Sequence, residues 1–178
     1  MAIREILIWP DPLLTKPSAR VAVVDDDIRA LVADMLETMY DADGVGLAAP
    51  QVGVHLQVVV IDIYGQAEDR PSGEEALVLI NPVFERAEGE LEWEEGCLSV
   101  PGETGLVTRA ADVVVRYLDV DGKEQVIAAQ GLKAVALQHE CDHLNGKLFV
   151  DYLSRLKRSV IKRKMLKLKQ ELEEEAAA

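Results

Sequence analysis

The sequence predicts an α+β fold: mainly antiparallel sheets around one central helix, with further helices near the two ends. Three observations predict it. Runs rich in Val and Ile cluster in the middle of the chain, between stretches of helical periodicity. Within residues 112–129, two such runs flank an Asp-Gly pair, the mark of a tight antiparallel hairpin. No repeat, low-complexity linker or break divides the 178 residues, a length that favours one domain over 1–178.

The elements follow in order. In "DDDIRALVADMLETMY", residues 25–40, Ile28, Leu31, Val32, Met35, Leu36 and Met39 recur at helical spacing, and Asp25 to Asp27 supply an N-cap and favourable charge. Residues 56–65 are continuous and β-branched, the pattern of a buried strand. Residues 76–87 read as a second strand, bent at Asn81-Pro82. The hairpin 112–129 turns at Asp121-Gly122. Residues 132–145 form the central helix, with Leu132, Val135, Ala136, His139 and His143 on its inner face and Gly146 at its C′ position. A last helix covers about 153–174, capped by Ser154, with Leu156, Val160, Ile161, Met165, Leu168 and Leu172 as its apolar side.

Composition excludes several classes. Apolar residues make up 49% and charged residues 29%, as in an ordinary globular protein. No apolar run approaches the ~18 residues of a membrane span, so no membrane partner is expected. The N-terminal stretch lacks the layout of a secretory signal or transit peptide, which points to the cytoplasm. There, Cys97 and Cys141 are expected as free thiols or ligands. The net charge of −13 is uneven: residues 155–169 hold eight of the 19 basic residues and no acid, leaving 11 basic against 32 acidic residues elsewhere. An acidic body disfavours general nucleic-acid binding; the basic segment is the exception.

"QHECDHLNG", residues 138–146, carries H-E-x-x-H. On a helix His139 and His143 lie about 40° apart around the axis and ~6 Å along it, so both can reach one cation. Glu140 projects about 100° away and is placed to exchange protons with a water at the metal. The third ligand decides the chemistry. Phe149 stands where a metzincin has another His, His55 is far upstream, and the glutamates after His143 lie in a charged tail. Cys141 is about 200° from His139 and reads as packing. Elimination leaves Cys97, in "EWEEGCLSVPG", at a strand end where Gly96 permits a close backbone approach. A Cys/His/His set keeps a fourth position open, the catalytic arrangement.

"GVGLAAPQVG", residues 44–53, formally fits a dinucleotide-binding G-x-G-x-x-A. It follows a helix rather than a strand, and Pro50 stops any helix opening there, so no nucleotide cofactor is expected. Small residues there can instead bring backbone close to a ligand, and Gln51 offers an amide donor suited to an oxyanion.

"GVGLAAPQVG", "EGCLS" and "QHECDH", in this order, closely resemble the motifs of the peptide deformylases. The likeness extends to "WPDPLL", "INP", "VTRA" and "GKLFVDYLS", nearly the whole chain, and the basic end resembles the bacterial form with a C-terminal helix. The resemblance implies a metal-dependent hydrolase of protein biosynthesis that removes the N-formyl group from the formyl-methionine of nascent polypeptides, releasing formate. It implies Cys97, His139 and His143 as metal ligands, Glu140 as general acid/base, and Gln51 with the Leu98 backbone N–H as oxyanion donors. Gly46 would pair with the peptide as an added strand, and Val45, Leu132, Val135 and Ala136 would line the methionine pocket. The implied metal is Fe2+, replaceable by Zn2+, Ni2+ or Co2+. The substrate's origin suggests the basic C-terminal helix as a ribosome anchor.

Overall fold

The computed structural model describes residues 2–65 and 67–178. Its elements are α1 (Asp26–Asp41), β1 (Gly46–Ala48), β2 (Val58–Ile61), β3 (Leu77–Glu88), β4 (Leu91–Cys97), β5 (Val100–Arg109), β6 (Asp112–Leu118), β7 (Glu124–Gln130), α2 (Gly131–Leu144) and α3 (Arg155–Ala177). Five strands form one antiparallel sheet in the order β1-β2-β3-β6-β7, while β4 and β5 form a separate ribbon. This is the α+β arrangement of antiparallel sheets and flanking helices that the sequence predicts. No helix among the described residues is long and apolar enough to cross a membrane.

Local chemistry explains the elements. The Asp25 carboxylate accepts a hydrogen bond from the Ile28 N–H at 3.0 Å and starts α1, whose Ile28, Leu31, Val32, Met35 and Met39 are buried. The bend in β3 is a register shift between Ile80 and Val83. Asn81 there adopts φ 51°, and its side chain bonds both the N–H and the carbonyl of Val21. That pairing satisfies a buried amide and tolerates the left-handed backbone. α2 is buried on several sides, as a helix between two layers must be. Ala134, Ala136, Leu137 and Leu144 meet the five-stranded sheet, while His139 and Asp142 bond to the ribbon. Gly146 follows the C-cap Asn145 with φ 75°, at the expected C′ place.

Four elements differ from the sequence reading. The strand at 56–65 shrinks to four residues because the chain turns at Asp62. The buried Asp62 carboxylate binds the Tyr40 hydroxyl, the Arg70 guanidinium and the Tyr64 and Gly65 N–H groups, partners that an extended strand does not offer. β1 is a three-residue edge strand, too short to show a period. β4 has mostly exposed side chains and four polar or Gly positions, so only its end at Cys97 was legible. α3 runs on to Ala177, but of its apolar residues only Ile161 and Met165 are buried, with Leu168 packed alongside. Leu156 is 75% exposed, so the apolar side is narrower than its sequence suggests.

Candidate active site

β4 delivers Cys97. The ribbon register pairs Gly96 with Thr104 and then jumps to Cys97 with Val100, a bulge that turns the chain at the thiol. Gly96 is not left-handed, and a Cβ there would make ordinary contacts, so the turn comes from the bulge and not from Gly96. α2 delivers His139 and His143 one turn apart, ring centroids 5.1 Å from each other. Cys97 Sγ lies 3.5 Å from His143 Nε2. One donor atom from each of the three residues falls within 4.8 Å of the others, the one such Cys/His/carboxylate group found among the described residues.

The donor set fits a divalent cation. Burial drives the His143 pKa well below its ordinary value, which keeps the ring in its neutral, ligating form. His139 Nδ1 meets Glu95 Oε1 at 2.7 Å, which fixes the tautomer and leaves Nε2 turned to the cluster. Although burial opposes a charge on His139, Cys97 and the carboxylates of Glu95 and Glu140 raise its pKa well above the ordinary value. The same negative neighbours that favour a proton on His139 would favour a cation beside it in the proton's place.

Beneath His139 lies a network that the sequence reading did not assign. Arg109 donates to both Glu95 oxygens at 2.7 and 2.8 Å and to Asp142 at 2.6 Å. Tyr152 donates to the same Asp142 oxygen at 2.7 Å, and the guanidinium sits 4.7 Å from the centre of its ring. Burial works to raise the Glu95 pKa, yet the bonds from Arg109 and His139 overcome it and hold the carboxyl below its ordinary value. The signals were present: Glu95 stands two residues before Cys97, Asp142 one before His143, and Arg109 in "VTRA". Their partnership spans 47 positions of sequence and has no local period.

Glu140 is buried beside the cluster, its Oε1 3.8 Å from His139 Nε2 and its Oε2 without a partner among the described residues. Burial pushes its carboxyl up to about 7. Gly46 explains why small residues occupy the loop before β1: a Cβ there would stand 2.8 Å from Glu140 Oε1, and one on Gly44 would stand 2.6 Å from Leu98 Cδ1. The backbone therefore closes on both groups.

These parts border a cavity of about 630 Å³. Cys97, His139 and Glu140 line one part of it, with Val45, Gly46, Leu98, Leu132, Val135 and Ala136 on the walls. Gln51 lies behind the wall, fully buried. Its side-chain oxygen accepts from the Ala48 N–H at 2.9 Å, and its amide donates to Ser99 Oγ at 3.0 Å and Cys97 Sγ at 3.6 Å. Cys141 is buried outside the cluster, with its thiol pKa raised by burial, as a packing residue requires. His55 sits apart, its Nε2 2.8 Å from the Leu13 carbonyl.

A family model described as polypeptide deformylase matches residues 3–159. The peptide deformylase of Alkalilimnicola ehrlichii is 55% identical over 94% of this chain and 92% of its own length, and that of Rhizobium meliloti is 48% identical over 94% of each. Among solved structures, a peptide deformylase from Legionella pneumophila superposes with a TM-score of 0.88 at 51% identity, covering 95% of this chain and 96% of that one. One from Ehrlichia chaffeensis in complex with actinonin gives a TM-score of 0.88 at 42% identity, covering 94% and 98%. With this match in sequence and fold around a Cys/His/His cluster, the chain belongs to the polypeptide deformylase family, metal-dependent hydrolases that remove the N-formyl group from nascent peptides.

Proposed function

We propose that this chain carries out deformylation as a single catalytic unit, with Cys97, His139 and His143 holding one divalent cation and Glu140 moving the protons. The observation that carries the reading is the convergence of three donor atoms within 4.8 Å in a largely apolar cavity, with a buried carboxylate beside them. The cation, when bound, supplies the Lewis acidity that makes water nucleophilic near neutral pH. Family resemblance supports Fe2+ in the cell; the mixed thiolate–imidazole donor set suits Zn2+, Ni2+ or Co2+ as well, as replacements in a purified sample.

The chain's own groups then have separate tasks. Glu140, poised near pH 7, takes a proton from the attacking water as its oxygen bonds to the formyl carbon. It returns a proton to the nitrogen as the C–N bond breaks, so formate and a free α-amine leave. The Gln51 amide and the Leu98 N–H meet the charge that develops on the formyl oxygen. For Gln51 this means turning its donor from Ser99 or Cys97 to the substrate. The methionine side chain fills the walls formed by Val45, Leu132, Val135 and Ala136, where a thioether gains contact area. β1 is the edge of its sheet, so an extended peptide can add beside Gly46. The basic face of α3 then docks the enzyme near its substrate on the ribosome.

An anaerobic assay on formyl-Met-Ala-Ser, with metal analysis of the same sample, tests this. Formate release at one cation per chain supports it. Cleavage of acetyl-Met peptides or internal peptide bonds at comparable rates contradicts it.

A further inference from the structure

The mouth of the cavity carries charge of one sign. Asp43, Glu94 and Glu103 line it, and no Lys or Arg does. Glu94 has a neutral partner, accepting from Thr104 Oγ1 at 2.9 Å. The cation that reaches this rim comes from far along the chain: Lys164 Nζ of α3 lies 3.2 Å from Glu103 Oε1. Packing sets its place. Ile161 and Met165, three residues before Lys164 and one after, are buried in the same cluster as Val100 and Val107 of β5. Gly105 of β5 is pressed against Leu153, just before α3, so closely that a Cβ would stand 2.6 Å from its Cδ2. α3 thus shares an apolar cluster with the strand that carries Glu103.

We propose that Lys164 is a specificity-determining residue, which pairs with Glu103 and thereby sets how strongly the cavity mouth selects for positive charge in the residues that follow formyl-methionine. The proposal rests on the reading that this cavity holds a formyl-peptide. A pair whose lysine is exposed and whose carboxylate is half-buried adds little to stability. Its charge still acts on a substrate held nearby, and with opposite sign on basic and acidic peptides, so the effect counts twice in their ratio. With a substrate charge ~8 Å away in a water-like dielectric, removing one rim charge changes that ratio about threefold at low salt.

The test is kcat/KM at low ionic strength on formyl-Met-Lys-Lys, formyl-Met-Ser-Ser and formyl-Met-Glu-Glu amides. The wild type is compared with Lys164→Gln, Glu103→Gln and the double variant. Each value is divided by the same variant's value on the Ser-Ser peptide, which cancels any loss of fold or metal. The wild type should favour the Lys-Lys peptide. Lys164→Gln should raise the Lys-Lys to Glu-Glu ratio about threefold, Glu103→Gln should lower it similarly, and the double variant should return near the wild type. All these differences should shrink at about 0.5 M salt. Normal turnover with a ratio unmoved by Lys164→Gln overturns this proposal alone, even if Glu103→Gln still moves it. Failure of the wild type on the Ser-Ser peptide overturns the deformylase reading and this proposal with it.

Discussion

Arg109 and the basic residues of α3 show two opposite ways of handling positive charge. Arg109 is buried, and its guanidinium is consumed by Glu95 and Asp142 and faces the Tyr152 ring. Along α3, residues 155–169 carry eight cations, of which only Arg158 and Lys164 are ion-paired among the described residues, at 3.2 Å to Asp151 and Glu103. Solvation explains the contrast. A charge taken out of water needs partners that cover it, and the partners then fix its position; a charge left in water fixes nothing and stays available to something outside. The first arrangement holds the His139 ring, a proposed metal ligand, in place. The second leaves a surface whose only legible property is its field.

The buried region breaks most completely at its centre. Cys97→Ala removes the sulfur donor of the proposed ligand set, so bound metal and activity should be lost together. Cys141→Ala, on the same helix as the histidines but outside the cluster, should keep both. Metal stoichiometry of the two purified variants measures this, and a Cys97→Ala protein with one cation per chain removes Cys97 from the ligand set.

Glu140→Gln separates chemistry from ligation in the same region. It should keep its metal while kcat falls by about 10²–10⁴-fold. The metal-free protein offers a second readout. The folded-state pKa of Glu140 is about 7 against an ordinary 4.5, so the native state holds the proton longer than the unfolded chain does. Stability is then greatest below the ordinary value and declines as pH rises toward 7. Metal-free Glu140→Gln should melt higher than metal-free wild type at pH 8, and the gap should close near pH 4. A gap that is constant with pH contradicts the assignment.

Much of this site was legible in the sequence, and the boundary of what was legible is physical. H-E-x-x-H announces itself because helix geometry converts a spacing of four into convergence. Cys97 followed by elimination, since few other donors existed. Glu95, Arg109 and Asp142 were invisible as a set because they come from three elements and only the folded ribbon brings them together. The edge strand at Gly46 was hidden by its length, and the reason for glycine there, the Glu140 carboxylate 2.8 Å from its missing Cβ, is a tertiary fact. α3 was the reverse case: its start and its Ser154 cap were readable, but its sequence pattern overstated the apolar face, because helical periodicity does not say how much of a helix has a body to rest on.

A smaller effect is expected one layer out from the metal. Arg109→Leu leaves Glu95 and Asp142 without their cation, and breaking a buried pair this way costs about 3–5 kcal/mol. Without its ion pair Glu95 no longer holds the His139 ring as firmly, so metal affinity should fall about 10–100-fold while some activity survives at saturating metal. The Glu95 pKa in the wild type lies below its ordinary 4.5, so the pair's contribution is complete above that value and is lost as pH falls through the depressed one. Urea unfolding of the metal-free proteins should therefore show a wide gap between wild type and Arg109→Leu at pH 7 that narrows in acid. Equal midpoints at pH 7 contradict a structural role for the network.

The exposed region should show the smallest effect on catalysis and the clearest effect on location. Removing α3 outright is a poor test, because Ile161 and Met165 are part of the core and their loss forfeits roughly 1.5–3 kcal/mol each. Neutralising Lys157, Lys162, Arg163 and Lys167 to Gln keeps the helix, its Ser154 cap and both buried anchors. It also spares Arg158 and Lys164, the two that pair with the body. Hydrolysis of formyl-Met-Ala-Ser should stay within about twofold of wild type, since surface substitutions of this kind change stability little. Co-sedimentation with ribosomes should fall sharply. For the wild type it should weaken steeply as salt rises, because each phosphate contact releases counterions and four lost contacts should flatten the slope by about three to four. A neutralised protein that sediments as the wild type does, with the same salt slope, means that α3 does not anchor the enzyme and that its charge serves only as a solvated face.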